Sequence, residues 1–311
     1  MENIKTDTEF GSNVVADFKV LTDEFQGIDK ARDILVIRDL ATRWTHYDAT
    51  PSRSTVEVVA SLHGFLKDQH CSRFHSDGGK EFLAAAKQLG IRHTESLPFD
   101  SQGNAFAERA IRTMTEGARA VLYRSGFPIR FWPMAAESFS IAHNLTTRWR
   151  RHDEDDDAPM KSPYERRYDG NYTGTLLPFG ALCHARLQQT ERRTQHPMQP
   201  DTTQALYLGP LLSDKGEERG NRVILLSDMR DAVKTGKTPK VHTVRNPLIR
   251  HERLVFPLYK RIVGDGHGLD DDDVQGPENI SAYEEEFPAA AGADAGRQVE
   301  EERPDEEVTY D

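Results

Sequence analysis

Asn13–Leu21 reads NVVADFKVL, a short β-rich run with one aspartate, Asp17, at its middle. Asp33–Asp39 (DILVIRD) is a second such run, and Arg43–Ala49 is read as its hairpin partner, so three strands open the domain. Ser54 can then cap a helix expected to reach about Asp68, because Val58, Leu62, Phe65 and Leu66 recur at helical spacing. A strand over Ser72–Ser76 ends at Asp77-Gly78-Gly79. Phe82–Leu89 suits a short helix that Gly90 stops, and Ile91–Thr94 is the next strand. Beyond the turn-rich Pro98–Gly103 (PFDSQG), a long helix is expected from Asn104 to Arg124. Gly126-Phe127-Pro128 breaks it, and a second helix follows from Arg130 to about Thr147. Three strands followed by alternating helices and strands predict an α/β domain with a mixed sheet.

The composition sets the class of molecule. Of 311 residues, 37% are hydrophobic, enough to build a real core. No run of eighteen apolar residues occurs and the start MENIKTDTEF is too polar and acidic for a secretory signal, so an intracellular protein without membrane contact is expected. The two cysteines, Cys71 and Cys183, lie far apart and support neither a disulfide framework nor a Cys-rich zinc site. The net charge of −11 is unevenly spread. From Gly264 to Asp311, seventeen Asp/Glu face two Arg, which leaves residues 1–263 at +4; within Arg186–Arg261, fifteen Lys/Arg face eight Asp/Glu. The acidity belongs to a tail, and the basic stretch before it can neutralise phosphates.

This divides the chain into a lead-in at 1–11 expected to be disordered, the α/β domain at 12–147, a linker at 148–177 that begins RWRRHDEDDDAP, a second domain at 178–262 and a tail at 263–311. In the second domain, short β-like runs at Ala181–Leu187, Gln204–Leu208, Arg222–Leu226 and Pro239–Val244 alternate with turn residues and predict a small all-β barrel. The tail, rich in DDDD and EEE stretches, is low in complexity and expected to be disordered. There is no internal repeat.

Three carboxylates stand where a sheet-and-helix core could gather them: Asp17 in the first strand, Asp77 at the end of the fourth, and Glu108 one turn into the long helix. Phosphodiester chemistry uses such groups, since Mg²⁺ takes oxygen ligands and is typically held by one or two carboxylates plus substrate phosphate. Two ions roughly 3.5–4 Å apart can serve the attacking and the leaving oxygen of one displacement. Spacing alone does not single these three out among 51 acids.

Their local context does. His75–Phe82 (HSDGGKEF) resembles the SDNGGEF stretch of copia-type retrotransposon integrases, and Pro98–Arg109 (PFDSQGNAFAER) resembles their PYTPQQNGVAER. Asp39-Leu40-Ala41-Thr42-Arg43-Trp44 is similar to the D-x-x-T/S-R strand end of the same core. Glu116-Gly117-Ala118-Arg119, Phe131-Trp132-Pro133 and Ala142-His143-Asn144 resemble the helices that follow. The likeness covers about Val14–Leu145. Beyond it, Ser162-Pro163-Tyr164-Glu165, Pro178-Phe179-Gly180 and Leu206-Tyr207-Leu208-Gly209 resemble shorter strings of the SH3-like barrel found after the core in copia-type polyproteins.

The resemblance implies an RNase H-like mixed five-stranded sheet flanked by helices, then an SH3-like barrel. Asp17, Asp77 and Glu108 would form a D,D,E triad holding two Mg²⁺ or Mn²⁺ ions, with Asp77 bridging them, for 3′-end processing and strand transfer. It further implies double-stranded DNA as partner, a homo-oligomer, and action in the nucleus after a cytoplasmic stage. Asn104 and Arg112, one turn before and after Glu108, and Arg109 are expected to contact DNA; for Arg112 an ion pair back to Glu108 is the equal alternative. Gly78 stands where the family pattern has Asn, and Ala105 where it has Gly. The interval between Asp77 and Glu108 is shorter than the family's usual one.

Asp39 also ends a strand, but its family position makes it a neighbour of the metal ligands. His75 and His93 lack a His-Cys ligand pattern, so no zinc site is expected. Arg148–His152 could bind DNA or solvate a helix end. Two other readings remain: a catalytically inactive relic that binds DNA or chromatin, and another RNase H-like nuclease or transposase.

Overall fold

In a computed structural model, residues 9–22, 25–95, 105–151, 153–186, 201–249 and 254–259 are described. The expectations for residues 1–8, for the turn at 98–103, for Asn104 and for the acidic tail lie outside them. The three opening runs form strands β1 (Val14–Val20), β2 (Asp33–Asp39) and β3 (Thr45–Thr50). Pairing is antiparallel, β1 to β2 and β2 to β3. Helix α1 (Thr55–Leu66), capped by the Ser54 hydroxyl accepting from the Glu57 N–H at 3.3 Å, crosses over to β4 (Phe74–Ser76). β4 lies parallel to β1. Helix α2 (Lys80–Leu89) ends where Gly90 takes φ 68°, and β5 (His93–Glu95) adds parallel to β4. The five-stranded sheet therefore runs β3-β2-β1-β4-β5, the mixed α/β sheet that the sequence predicted.

The period-2 alternation of β1 and β2 sends side chains to two cores. Val14, Ala16, Leu35, Ile37 and Phe74 pack against α1 and α2 through Leu62, Phe65 and Phe82. On the opposite face Ile34, Val36 and Tyr47 meet α3 (Ala105–Ser125) and α4 (Trp132–Thr146) through Ala110, Met114 and Ala136. β2 is covered on both faces, which explains its nearly unbroken apolar sequence. Full burial of one such Leu or Phe side chain stabilises by about 1.5–3 kcal/mol. Among the described residues no helix is long and apolar enough to cross a membrane.

The stretch predicted as a linker is partly ordered. Trp149 and Lys161 exchange backbone hydrogen bonds, and α5 (Pro163–Tyr168) starts with a capping box: Glu165 N–H donates to the Ser162 hydroxyl, and Ser162 N–H to the Glu165 carboxylate. Arg167 of α5 is buried, its guanidinium 3.8 Å from the centre of the Phe10 ring and 4.7 Å from that of Trp44, and it donates to the Phe65 carbonyl at 2.8 Å.

The second region holds β6 (Leu182–Ala185), β7 (Thr203–Leu212), β8 (Glu218–Leu225) and β9 (Val241–Val244), an antiparallel sheet in chain order. It is not all-β. Helix α6 (Leu226–Thr235) sits between β8 and β9, burying Leu226, Met229 and Ala232. Leu206, Ile224 and Met229 share one core with Phe127, Phe131 and Ala135 from the α3–α4 side. Arg130 donates to the carbonyls of Ala232 and Gly236, at the C-terminal end of α6 where a cation is favoured.

Gly126 ends α3 at φ 71°, and a Cβ there would lie 2.2 Å from the Tyr259 backbone nitrogen. Gly126→Ala therefore combines a left-handed alanine with a backbone collision. We expect it to destabilise the fold by about 2 kcal/mol or more, seen as a fall in Tm of about 4–8 °C.

Candidate functional site

Asp17 follows the three buried residues Val14, Val15 and Ala16 and is itself half-buried. It pairs with Val36, so it faces the α3 side of the sheet, and its carboxylate accepts from the Phe18 N–H at 2.8 Å. The parallel register Val14 to Phe74 and Val15 to His75, continued two positions, sets Asp77 beside Asp17 at the same end of neighbouring strands. Asp77 is exposed just past β4, with the Gly79 N–H donating to its backbone carbonyl at 2.7 Å. A Cβ on Gly79 would come within 3.2 Å of the Asp77 carboxylate, so the glycine lets the loop fold closely around it.

Glu108 is exposed in the first turn of α3. Small buried residues, Ala107 and Ala110, bring that helix onto the sheet. Glu108 lines an open groove of about 480 Å³ between α3 and the end of β1, together with Phe18, Lys19, Ile111, Arg112 and Arg119. The three sequence-predicted acids thus stand at the middle of β1, just past the end of β4 and in the first turn of the helix above the sheet. They are not gathered into a closed cage: among the described residues no three His, Cys, Asp or Glu side chains stand close enough to hold one ion. The donor set is nonetheless of the right chemistry, three carboxylates and no thiolate or imidazole, and Mg²⁺ is commonly held by fewer protein ligands than a cage supplies.

The neighbours are bound otherwise than the sequence implied. Arg112 does not pair back to Glu108; its Nε donates forward to Glu116 at 3.1 Å. The Arg109 Nε donates to the Ala105 carbonyl, and its guanidinium lies 4.8 Å from the centre of the Phe106 ring. Asn104 is outside the described residues. Asp39 is fully buried and accepts from Gly11 N–H (3.0 Å), Thr42 N–H (2.7 Å) and the Thr42 hydroxyl (2.7 Å), which makes it the clasp of the β2–β3 turn. Burial pushes its pKa up, against those hydrogen bonds. His75 pairs with the Thr94 hydroxyl and His93 with the Ser76 hydroxyl, both in the sheet. Burial holds the His93 imidazole below its ordinary pKa. The arginines of 148–151 are spoken for: Arg148 by the Met160 carbonyl and Glu165, Arg150 by the Ala158 carbonyl, Arg151 by Asp153 and Glu154.

The sequence reading passed over three residues near this edge. Glu95 ends β5 close to Gly78, and a carboxylate ending a strand, as Asp77 does, was the available sign. Arg38 of β2 and Arg43 of the following turn lie on the Asp17 side; Arg43 stands in the D-x-x-T/S-R strand end but was given no role there, and no local pattern marked Arg38.

No protein-family model matches the chain. It is 26% identical over 113 residues to the Retrovirus-related Pol polyprotein from transposon TNT 1-94 of Nicotiana tabacum, a match covering 34% of this chain and 8% of that protein. The chain thus spans a small part of this relative. A solved structure of the catalytic core domain of BIV integrase aligns with 50% of this chain and 92% of its own, at 18% identity and TM-score 0.36.

Two measurements check these assignments. Asp39→Ala leaves buried donors without an acceptor and should destabilise by about 3 kcal/mol or more in urea unfolding; unchanged stability would remove its role as clasp. Glu154 is held down to about 2 by the Arg166 guanidinium and the Arg151 N–H. Its folded pKa is depressed, so the stability it contributes is present above the ordinary carboxylate range and is lost as pH falls from about 4.5 to about 2. Glu154→Gln should lower Tm at pH 7 and flatten the loss of Tm across that window, and a pH series of thermal melts with identical slopes would contradict this.

Proposed function

We propose that this chain is the integrase region of a retrotransposon Pol polyprotein, a metal-dependent polynucleotidyl transferase that processes 3′ ends and joins them to target DNA. The observation that carries the reading is the placement of Asp17, Asp77 and Glu108. Strand β1, the end of the parallel strand β4 and the first turn of α3, which packs on β1, carry the three carboxylates, and Asp77 and Glu108 stand within the two sequence motifs that resemble integrases. Asp17, Asp77 and Glu108 would hold two Mg²⁺ or Mn²⁺ ions. Bound there, the ions would activate the attacking oxygen and neutralise charge at the leaving one.

The chain's own residues supply orientation and access. The Phe18 N–H donates to one oxygen of Asp17 and so orients its carboxylate. Gly79 keeps side-chain bulk away from the Asp77 carboxylate. Glu108 opens into the groove beside α3, where Lys19 and Arg119 stand beside the Arg112–Glu116 pair and would face a backbone phosphate. Double-stranded DNA is the substrate in this reading. Joining two DNA ends calls for a homo-oligomer, and the substrate implies action in the nucleus. The four-stranded sheet after the core would correspond to the family's SH3-like domain.

A strand-transfer assay on a labelled oligonucleotide with Mg²⁺ or Mn²⁺ tests this. Glu108→Gln should reduce product by about 100-fold or more, since loss of a metal ligand removes several kcal/mol of transition-state stabilisation. Wild-type activity no greater than that of Glu108→Gln would reject strand transfer and leave the non-catalytic DNA-binding reading.

A further inference from the structure

The sheet face that carries Asp17 also carries a group of arginines tied down by unrelated means. Arg38 stands across from Val15 on β1 and from Thr45 on β3, two residues along the sheet from the Asp17–Val36 pair. Arg43 occupies the β2–β3 turn at φ 60°, a left-handed position usually given to Gly or Asn. Its guanidinium lies 3.6 Å from the centre of the Trp149 ring, a stack that leaves the N–H edge of the fork free. Arg109 follows Glu108 on α3 and is pinned by the Ala105 carbonyl and the Phe106 ring.

These positions are rigid. The Asn144 side chain of α4 both accepts from the Thr45 N–H at 2.9 Å and donates to its carbonyl at 2.7 Å, and the Ser140 hydroxyl donates to the same carbonyl at 2.8 Å. The hairpin end bearing Arg38 and Arg43 is thereby bolted to the helical layer. The charges are close enough to act on one another: Arg38 feels Arg43 and Arg109, and Arg43 feels Arg109. Burial and these like charges bring the Arg38 guanidinium down to about 10. Asp39, the adjacent acid, is already committed to Gly11 and Thr42. Among the described residues none of the three arginines forms a salt bridge. Three like charges near one another, Arg38 half-buried and Arg43 and Arg109 exposed, repel unless an anion sits among them, and an arginine fork matches the oxygens of a phosphate.

We propose that Arg38, Arg43 and Arg109 form a phosphodiester subsite that grips the backbone of double-stranded DNA beside Asp17 and Glu108, with Trp149 as the back wall of Arg43. The proposal rests on the DNA-joining reading above. It adds the residues that would hold the duplex, and their register relative to the carboxylates.

The test is duplex binding without catalysis, by fluorescence anisotropy over a salt series, using the full chain carrying Glu108→Gln in metal-free buffer. Arg43→Gln and Arg38→Gln should each weaken binding several-fold and lower the slope of log Kd against log salt by about 1. Arg38→Lys, which keeps the charge, should retain the slope. Arg53→Gln, which removes one exposed charge beyond the other end of β3, should change neither. If Arg38→Gln does not fold, the exposed Arg43 decides alone. Slopes for Arg43→Gln and Arg38→Gln equal to that of Arg53→Gln, with the parent chain still binding duplex, overturn the subsite and leave the DNA-joining reading intact. A parent chain that binds no duplex overturns both.

Discussion

Strand β1 is hydrogen-bonded along both edges, antiparallel to β2 and parallel to β4, and this double pairing places the candidate site. Alternation along β1 is absolute: Val14 and Ala16 point into the core under α1 and α2, and Asp17 points to the other side. A slip of one residue would exchange the faces and drive a carboxylate into the cluster of Leu62, Phe65 and Phe74. An unpaired charge there costs far more than any single apolar contact returns. The apolar faces of β1 and β2 therefore fix the register, and the register fixes where Asp17 lies. The parallel pairing with β4 then sets Asp77 alongside, because parallel strands end on the same edge.

The same constraint separates two aspartates that look alike in sequence. Asp17 lies in β1 and Asp39 ends β2, the strand paired with it. Asp39 falls at the closed end of the β2–β3 hairpin, where backbone N–H groups need an acceptor, and it is used up by them. Asp17 accepts from the N–H of its own strand neighbour and faces the α3 side of the sheet. The difference in surroundings between the two carboxylates thus comes from where each falls in the sheet, a property of topology.

Much of this was legible. Apolar alternation marked β1 and β2, helical spacing marked α1, and Gly90 and Gly126 marked helix ends, because each of these depends on residues close in sequence. What was missed divides by cause. α5 and α6 carried local signs that were present but outweighed. Ser162-Pro163-Tyr164-Glu165 is a capping box as well as a resemblance, and Leu226, Met229 and Ala232 recur at helical spacing before Gly236, inside a region otherwise read as strands. The partners of the arginines carried no local sign, although Arg43 and Arg109 stand inside motifs that resemble integrases. A run such as Arg148–Arg151 looks like a basic patch in composition, yet carbonyls and acids brought back by the following turn bind it. Arg38, Arg43 and Arg109 come from a strand, a turn and a distant helix.

Compositional charge and effective charge therefore part company in this chain. Where an arginine's donors are taken by Glu154, Glu165 or a helix end, its charge is spent inside the fold, and its removal should be felt as stability. Where the guanidinium is fixed by stacking on Trp149 or by its stem, the donors and the charge remain directed outward, and removal should be felt as binding. The cationic groups that matter most for an anionic partner are then the few whose immobility is supplied by aromatic rings and by the Asn144–Thr45 clamp, independently of any acid. That arrangement orders the guanidiniums before an anion arrives, so the entropy of fixing long side chains is met in folding and is not charged against binding.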